Sequence, residues 1–355
     1  MFPRFACPAA LLVLTALTYP AQAADPTLPA IDALVEDFIG DTTPGLGVVV
    51  TRQGKPLHIA GYGHADIDDE TPVTPDSIFD LASVSKQMTA LAARMQIEDG
   101  LYDEDTPIAD LLPELAGIDS PRPLTVGDLV HHLSGLTDYL SWDDYSPDTS
   151  NAEVLAWLAE QDLDHDPGAQ YDYSNSGYLA LGSLVAAADE ADDLASVLQT
   201  RIWDASGMAD TALPDPIDED RRVTGYDGTG GDFEPSFEPN IAQGDGNVFS
   251  TLRDLARYEQ GFWDDRYLSE TTALFTNGTF DDGSPIEDDS GEGYGYGWGI
   301  SNDGESDYAA HTGSWMGTST LYQRNLTNGV TVILLANGES ADLWELAAQI
   351  EASLD

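Results

Sequence analysis

Strand patterns at both ends of the chain, separated by a long helical region, constrain the fold more than any other feature of the sequence. Near the amino terminus, LGVVVTRQGKPLHIAGYGHAD predicts two strands joined at the turn RQGK. Near the carboxyl terminus, further strands separated by short turns are predicted for YGYGWGIS, YAAHTG, TSTLYQRN and GVTVILLAN. From about residue 101 to 290 the patterns are mostly helical, as in EVLAWLAEQ and SGYLALGSLVAAADEADDLASVLQTRIW.

This arrangement predicts an α/β fold, an α+β sandwich, in which both termini contribute to one antiparallel sheet. Helices flank the sheet, namely LPAIDALVEDFIGD before the first strand and ADLWELAAQIEASLD at the end of the chain. A mainly helical domain is inserted into the sheet domain, so that two lobes meet in a cleft. We assign residues 24–78 and 291–355 to the sheet domain and residues 79–290 to the inserted helical domain.

Residues 1–23 have the pattern of a secretory signal peptide. A basic MFPR start precedes an apolar run, and the small residues AQA end at Ala23, where we expect cleavage. Cys7 is the only cysteine and would be removed with this segment, which leaves no disulfide and no thiolate metal site. The sequence therefore predicts an exported protein, periplasmic or secreted, with no stable membrane anchor.

The chain has a formal net charge of −51, with 13 Lys and Arg against 64 Asp and Glu. The acidic residues are spread along the whole length together with Trp and Tyr, which is typical of a folded acidic surface rather than a disordered tail. Salt screens the repulsion on such a surface, so we interpret it as a halophilic adaptation to a saline environment. Because there is no basic patch to bind phosphate, nucleic acid is excluded as a partner.

The stretch SVSK contains one of only two lysines in the chain, Lys86, three residues after Ser83. On a helix, residues three apart share a face, so the Lys86 amine can reach the Ser83 hydroxyl. A serine hydroxyl becomes a good nucleophile when a neighbouring base takes its proton, and Lys86 could be that base or could hold a second base in its reactive form. A serine three residues before a lysine also occurs by chance, so this motif alone is weak.

A second candidate motif is YSN, which lies on a predicted loop that enters a helix. Tyr173 could be a proton shuttle if a cation lies nearby, and the Asn175 amide could hydrogen-bond both Lys86 and a substrate carbonyl. The alternative is an ordinary turn in which Ser174 or Asn175 caps the following helix.

A third candidate motif is HTGS, at the end of a predicted strand. Gly313 would let a substrate approach the backbone, and the Ser314 N–H could donate a hydrogen bond to a developing oxyanion. The alternative is a strand end followed by a turn, with His311 in a structural role.

The three motifs come in the order Ser-x-x-Lys, Tyr-x-Asn and Lys- or His-Thr-Gly, and in this order they resemble the signature of the serine β-lactamase and penicillin-recognising enzyme family. That family includes class C β-lactamases, D-alanyl-D-alanine carboxypeptidases and family VIII esterases. The resemblance covers nearly the whole mature chain. Other stretches similar to segments of the family are GKPLHIAGYGHAD, LYDEDTPIADLLPELAG, LTVGDLVHHLSGLTDY and GDGNVFSTLRDLARY.

The resemblance implies the sandwich fold with an inserted helical domain and a role for each motif residue. Ser83 would be the acyl-accepting nucleophile, and Lys86 and Tyr173 the acid–base pair, in an order that the sequence leaves open. The backbone N–H groups of Ser83 and Ser314 would form the oxyanion hole. The residues that would bind substrate are Asn175, His311, Thr312, Gly313 and Ser314. No cofactor and no metal ion are expected.

One departure from the family decides how the possible activities are ranked. Most β-lactamases of the family carry lysine where this chain has His311, and that lysine helps to hold the substrate carboxylate. We therefore expect a D-alanyl-D-alanine carboxypeptidase-like peptidase or an esterase, acting as a monomer on a small molecule or peptide with an ester, amide or lactam bond. The alternatives are a class C-like β-lactamase and a non-catalytic binder of such ligands.

Overall fold

The computed structural model describes residues 25–40, 42–214, 218–237, 240–288, 290–339 and 341–354, so the predicted signal peptide lies outside the described residues. The helices are α1 (Pro29–Phe38), α2 (Lys86–Glu98), α3 (Val126–Val130), α4 (Asn151–Leu158), α5 (Asn175–Ala188), α6 (Leu194–Leu198), α7 (Asp204–Ser206), α8 (Leu252–Trp263) and α9 (Trp344–Ala352). Short 3-10 turns occupy Ala82–Ser85, Ile108–Asp110, Pro113–Leu115, Tyr139–Ser141 and Thr272–Phe275, and a π-helical turn, Gln199–Trp203, joins α6 to α7. In these ranges no helix is long and apolar enough to cross a membrane.

The strands are β1 (Gly45–Arg52), β2 (Lys55–Asp66), β3 (Thr71–Pro72), β4 (Ile78–Asp80), β5 (Tyr226–Thr229), β6 (Asp232–Pro235), β7 (Phe249–Thr251), β8 (Gly293–Tyr294), β9 (Gly299–Asn302), β10 (Asp307–Trp315), β11 (Thr318–Asn325) and β12 (Val330–Ala336). The main sheet has the order β3-β2-β1-β12-β11-β10-β9-β8, and its neighbouring strands pair antiparallel. Its two halves join where β1 pairs with β12, with Leu46 opposite Ala336. The predicted antiparallel sheet built from both termini is therefore confirmed.

Helices cover both faces of the sheet, as the alternation of side chains along β1 requires. Val48 and Val50 point into a smaller core shared with α1 and α9, whereas Val49 points into the larger core shared with the helical region. Both faces of β1 are therefore buried from Gly45 to Thr51, as expected for a strand that is covered on both sides.

Helix α2 is the central helix of the larger core. The structure buries every residue from Lys86 to Ala93, so the helix is covered on all sides over this stretch. Gly100, with φ +76°, follows the helix in the left-handed conformation that commonly ends one. A polar side chain on the first turn of α2 is thus held inside the protein.

One local prediction was wrong. YGYGWGIS was predicted as one strand, but it folds as the hairpin β8–β9, with the intervening Gly297 at φ +75°. HTGS was placed at the end of a predicted strand, and β10 ends at Trp315, one residue after Ser314. The predicted helical insert also contains strands, because β4 pairs with β7 and β5 with β6. The domain boundaries themselves stay a prediction.

Candidate active site

Ser83 lies in the 3-10 turn Ala82–Ser85, immediately before α2, in a backbone conformation held by its neighbours. Ala82 has φ +47°, which is unfavourable for a residue with a Cβ. The Ala82 N–H donates to Asp80 Oδ1 at 2.8 Å, so Asp80 supports this turn. Burial raises the pKa of the Asp80 carboxyl to about 6, and the hydrogen bond from Ala82 opposes that rise.

Strand β11 fixes the same turn to the sheet. The Thr320 hydroxyl donates to the Leu81 carbonyl oxygen at 2.9 Å, and the Thr318 hydroxyl contacts the Asp80 carbonyl oxygen at 3.4 Å. These bonds place the turn that carries Ser83 against the strands of the sheet.

Lys86 is the first residue of α2, and its side chain is fully buried. Its Nζ lies 3.2 Å from Ser83 Oγ, 2.9 Å from Asn175 Oδ1 and 2.7 Å from the Asp245 carbonyl oxygen. The first two contacts bring together the SVSK and YSN motifs, as their predicted roles require. The third contact, to Asp245, was not predicted from the sequence.

Asp138 determines which way the Asn175 amide points. The Asp138 carboxylate accepts from both the backbone N–H and Nδ2 of Asn175, each at 3.1 Å. An ionised carboxylate only accepts hydrogen bonds, so Nδ2 must face Asp138 and Oδ1 must face Lys86.

Only one of the three hydrogen bonds of Lys86 can exchange its donor and acceptor. Asn175 Oδ1 and the Asp245 carbonyl oxygen can only accept, so two N–H groups of Lys86 are committed to them. The Ser83 hydroxyl can either donate or accept. A neutral Lys86 can therefore direct its lone pair at the Ser83 O–H, and an ammonium can donate to Ser83 Oγ, with no other bond disturbed.

The ring of Tyr173, two residues before α5, packs over the Lys86 amine. Lys86 Nζ lies 4.8 Å from the centre of the Tyr173 ring, and the tyrosine is 38% exposed. The next residue, Ser174, caps α5 by accepting from the Gly177 N–H at 3.0 Å, so the capping interpretation of this stretch also holds. The Ser174 N–H donates to Nδ1 of the buried His132, whose ring supports Tyr173 from 4.4 Å.

His311 is buried and uncharged. It is 8% exposed, and burial, with a smaller contribution from the charge of Lys86, lowers its pKa to about 4. Nδ1 lies 2.6 Å from the Thr312 carbonyl oxygen, which only accepts, so Nδ1 carries the proton and Nε2 accepts from the Tyr294 hydroxyl at 3.0 Å. His311 therefore does not supply the positive charge of the lysine that it replaces.

Among the residues that the structure describes, no strand lies beside one edge of β10 after Ala310, because its ladder with β9 ends there. Thr312 and Ser314 are exposed along this edge. Gly313 differs from its predicted role. A Cβ on Gly313 would collide with Thr320 Oγ1 and with the Leu81 carbonyl oxygen, so the missing side chain lets β10 pass against the nucleophile turn instead of admitting substrate.

Two cavities adjoin these residues. The nucleophile cavity, of about 260 Å³, is lined by Ser83, Tyr173, Asn175, Asp245 and Ser314, together with Asp80, Ala82, Tyr139, Leu140, Asn240, Gly246, Asn247 and Trp315. The strand cavity, of about 160 Å³, is lined in part by Tyr173, His311, Thr312, Asp288 and Glu292. Within the described ranges, no group of three or more His, Cys, Asp or Glu side chains could hold a metal ion.

The fold agrees with comparisons to known proteins. The family model described as Beta-lactamase matches residues 31–353. The chain belongs to the beta-lactamase family. It is 27% identical to penicillin-binding protein 4* of Bacillus subtilis (strain 168), over 84% of this chain and 69% of that protein. It is also 27% identical to the D-aminopeptidase of Gluconobacter oxydans (strain 621H), over 92% of this chain.

This beta-lactamase-family chain spans only 61% of the length of that D-aminopeptidase. Among solved structures it resembles the octameric penicillin-binding protein homologue from Pyrococcus abyssi, with a TM-score of 0.79 and 22% identity. That match covers 92% of this chain and 76% of the other, and it shows the shared fold.

Asp138 and Asp245 contact the motif residues but were missed by the sequence reasoning. Asp138 lies in the stretch LTVGDLVHHLSGLTDY, which was used only as a mark of resemblance. Asp245 lies between two glycines in GDGN. A charged residue in a glycine-rich turn could have marked it as a candidate site residue.

Proposed function

We propose that this beta-lactamase-family protein is an exported serine hydrolase that works through an acyl-enzyme on Ser83. The observation that carries the proposal is the Lys86 amine, 3.2 Å from Ser83 Oγ, with its other two contacts made to groups that only accept hydrogen bonds. Among the three hydrogen-bond partners of Lys86, the Ser83 hydroxyl is the only one that can exchange a proton with it. The signal-peptide pattern of residues 1–23 supports the export part of the proposal.

In the proposed acylation step, Ser83 Oγ attacks the substrate carbonyl carbon while its proton passes to Lys86 Nζ. The carbonyl oxygen becomes an oxyanion, stabilised by the backbone N–H groups of Ser83 and Ser314. When the intermediate collapses, the bond to the leaving group breaks, and Tyr173 relays the proton from Lys86 to the departing atom. Water then attacks the acyl-enzyme, its proton passes to the same pair, and Ser83 is released with its proton restored.

A peptidase or esterase agrees better with this site than a β-lactamase. The residue that replaces the β-lactamase lysine is a buried neutral histidine, so it offers no charge to the carboxylate of a β-lactam. The names of the two relatives, a penicillin-binding protein and a D-aminopeptidase, support peptide-like substrates without deciding between them.

The test is a side-by-side assay with p-nitrophenyl esters, D-alanyl-D-alanine peptides, D-amino acid amides and nitrocefin, combined with mass spectrometry after fluorophosphonate treatment. We expect an adduct on Ser83 and turnover of esters or amides. Ser83→Ala should abolish the adduct and lower turnover by ~10³-fold or more, because the members of such a catalytic set act as a unit.

Two results would contradict the proposal. Absence of a Ser83 adduct with both a fluorophosphonate and a penicillin would favour a non-catalytic binder. Turnover of nitrocefin far above every ester and amide would make the protein a β-lactamase.

A further inference from the structure

One oxygen of a buried carboxylate in the wall of the nucleophile cavity has no partner. Asp245 is 8% exposed, and its Oδ2 accepts from the Tyr139 hydroxyl at 2.9 Å. Its Oδ1 is buried and accepts no hydrogen bond from any other residue that the structure describes. Leaving a buried carboxylate oxygen unpaired is costly, so a native site that keeps one needs a reason.

The nearby protein cation does not satisfy this oxygen. Lys86 donates to the backbone carbonyl of Asp245 rather than to its carboxylate, and its other contacts are Ser83 and Asn175. The nucleophile cavity has a second carboxyl, Asp80, on its wall, and no Lys or Arg is among its described lining residues. A molecule bound in the cavity is therefore the available source of a partner for this oxygen.

The position of Asp245 defines which part of a substrate would meet it. Once Ser83 is acylated, the acyl group stays bonded to Ser83, which lines the nucleophile cavity and not the described wall of the strand cavity. Lys86 Nζ contacts both Ser83 Oγ, at 3.2 Å, and the Asp245 backbone, at 2.7 Å, so the two residues flank a single amine. An acyl group on Ser83 and the Asp245 side chain therefore share this cavity.

We propose that Asp245 is a specificity-determining residue and that it binds the protonated amine of an α-aminoacyl group. The inference rests on the proposed Ser83 acyl-enzyme. A protonated amine gives Asp245 a charge-assisted hydrogen bond and neutralises a buried carboxylate, whereas an N-acetylated amine offers a weaker donor and no charge. Burial raises the pKa of the Asp245 carboxyl, and the charge of Lys86 opposes that rise. The preferred substrates are esters and amides of amino acids with a free amino group.

The test compares alanine methyl ester with N-acetylalanine methyl ester, each as both enantiomers, at a pH where the free amine is protonated. Wild type should favour the free amine in kcat/KM by ~10-fold or more, the effect of one charge-assisted hydrogen bond. Asp245→Asn keeps an oxygen for the Tyr139 hydroxyl and the backbone carbonyl for Lys86, but it presents an uncharged amide to the cavity. The preference should then fall by ~10-fold, whatever happens to the overall rate.

Glu292→Gln is the matched control, because it makes the same charge change in the wall of the strand cavity. It should leave the ratio between the two substrates unchanged. If Asp245→Asn does not fold, the wild-type ratio measured across pH decides instead, because it should fall as the free amine loses its proton.

The failures of the two proposals are distinguishable with p-nitrophenyl acetate, which has no amine. If this ester is not hydrolysed and Ser83 forms no adduct, the acyl-enzyme proposal fails and this inference fails with it. If Ser83 hydrolyses it but wild type prefers the N-acetyl ester, or Asp245→Asn keeps the wild-type ratio, the role of Asp245 is overturned and the hydrolase proposal stands.

Discussion

The orientation of the Asn175 amide controls the chemistry available to Lys86. Asp138 fixes the Asn175 amide so that its oxygen faces Lys86, and that oxygen commits one of the Lys86 N–H groups. Without Asp138 the amide would be free to rotate and present Nδ2, a donor, to the amine. We therefore regard Asp138 as a positioning residue that acts through Asn175.

Asp138→Ala should lower kcat/KM by ~10- to 100-fold, the cost of about one hydrogen bond to a charged group. Asp138→Asn retains one acceptor oxygen for Asn175 and should recover most of the activity. Steady-state rates of the three proteins measure this, and an Asp138→Asn protein no more active than Asp138→Ala would leave Asp138 with only a structural role.

The catalytic candidates could be predicted from the sequence because each lies in a short motif whose order on the chain is diagnostic. Ser83 and Lys86 are three residues apart, so helix geometry alone suggested their contact. The contacts from Lys86 to Asp245 and from Asp138 to Asn175 span 159 and 37 residues, and no local spacing indicates them. They depend on how separate elements pack.

At the scale of elements, the strands were predictable and their interruptions were not. The stretch that folds as β8–β9 alternates like one strand, but Gly297 lies against the first turn of α2, where a Cβ would come within 2.8 Å of the Lys86 carbonyl oxygen. The hairpin is thus a consequence of tertiary contact with a helix more than 200 residues earlier in the chain. The alternation of side chains along a predicted strand does not reveal a contact with a distant helix.

The packing of β10 against the nucleophile turn gives an element-scale prediction. Gly313→Ala places a methyl group against Thr320 Oγ1 and the Leu81 carbonyl oxygen, so the strand and the turn must move apart. We expect a loss of about 1–3 kcal/mol in the free energy of unfolding, typical of overpacking, and slower labelling of Ser83 by a fluorophosphonate. Thermal melts and labelling rates measure the two effects.

Gly117→Ala is the matched control for this substitution. Gly117 is exposed, it is not a positive-φ glycine, and an added Cβ there would meet nothing within 4 Å. The control should be neutral or slightly stabilising, because alanine reduces the entropy of the unfolded chain. If Gly313→Ala matches the Gly117→Ala control in both melting temperature and labelling rate, close packing of β10 against the nucleophile turn is not needed, and this prediction is wrong.

For the whole molecule, the architecture followed from where the strand patterns lie. Strand patterns at both ends of the chain, with helices between them, predicted one sheet to which both termini contribute. The pairing of β1 with β12 joins the two parts of that sheet. The surface charge was equally visible in the sequence, but the ion pairs were not. Arg122, for example, bridges Asp128 at 2.6 Å and Asp281 at 2.8 Å, and these partners lie far apart on the chain.

Salt should stabilise the folded protein, because repulsion outweighs such pairs. With 13 basic against 64 acidic side chains, most carboxylates have no cation to pair with. At about 0.1 M salt the Debye length is ~10 Å, so neighbouring carboxylates repel, and near 1 M it is ~3 Å and they largely do not. Partly buried pairs such as Arg122–Asp128 are screened less than exposed charges, so salt removes more repulsion than attraction.

We therefore expect the melting temperature to rise substantially between low salt and molar NaCl. The acylation of folded molecules should change little over the same range, because Lys86 is buried and its contacts are screened less than the surface. Thermal melts across a salt series, paired with active-site titration of Ser83, separate the two effects. A melting temperature that stays flat from about 0.05 M to about 2 M would refute the interpretation of the acidic surface as an adaptation to salt.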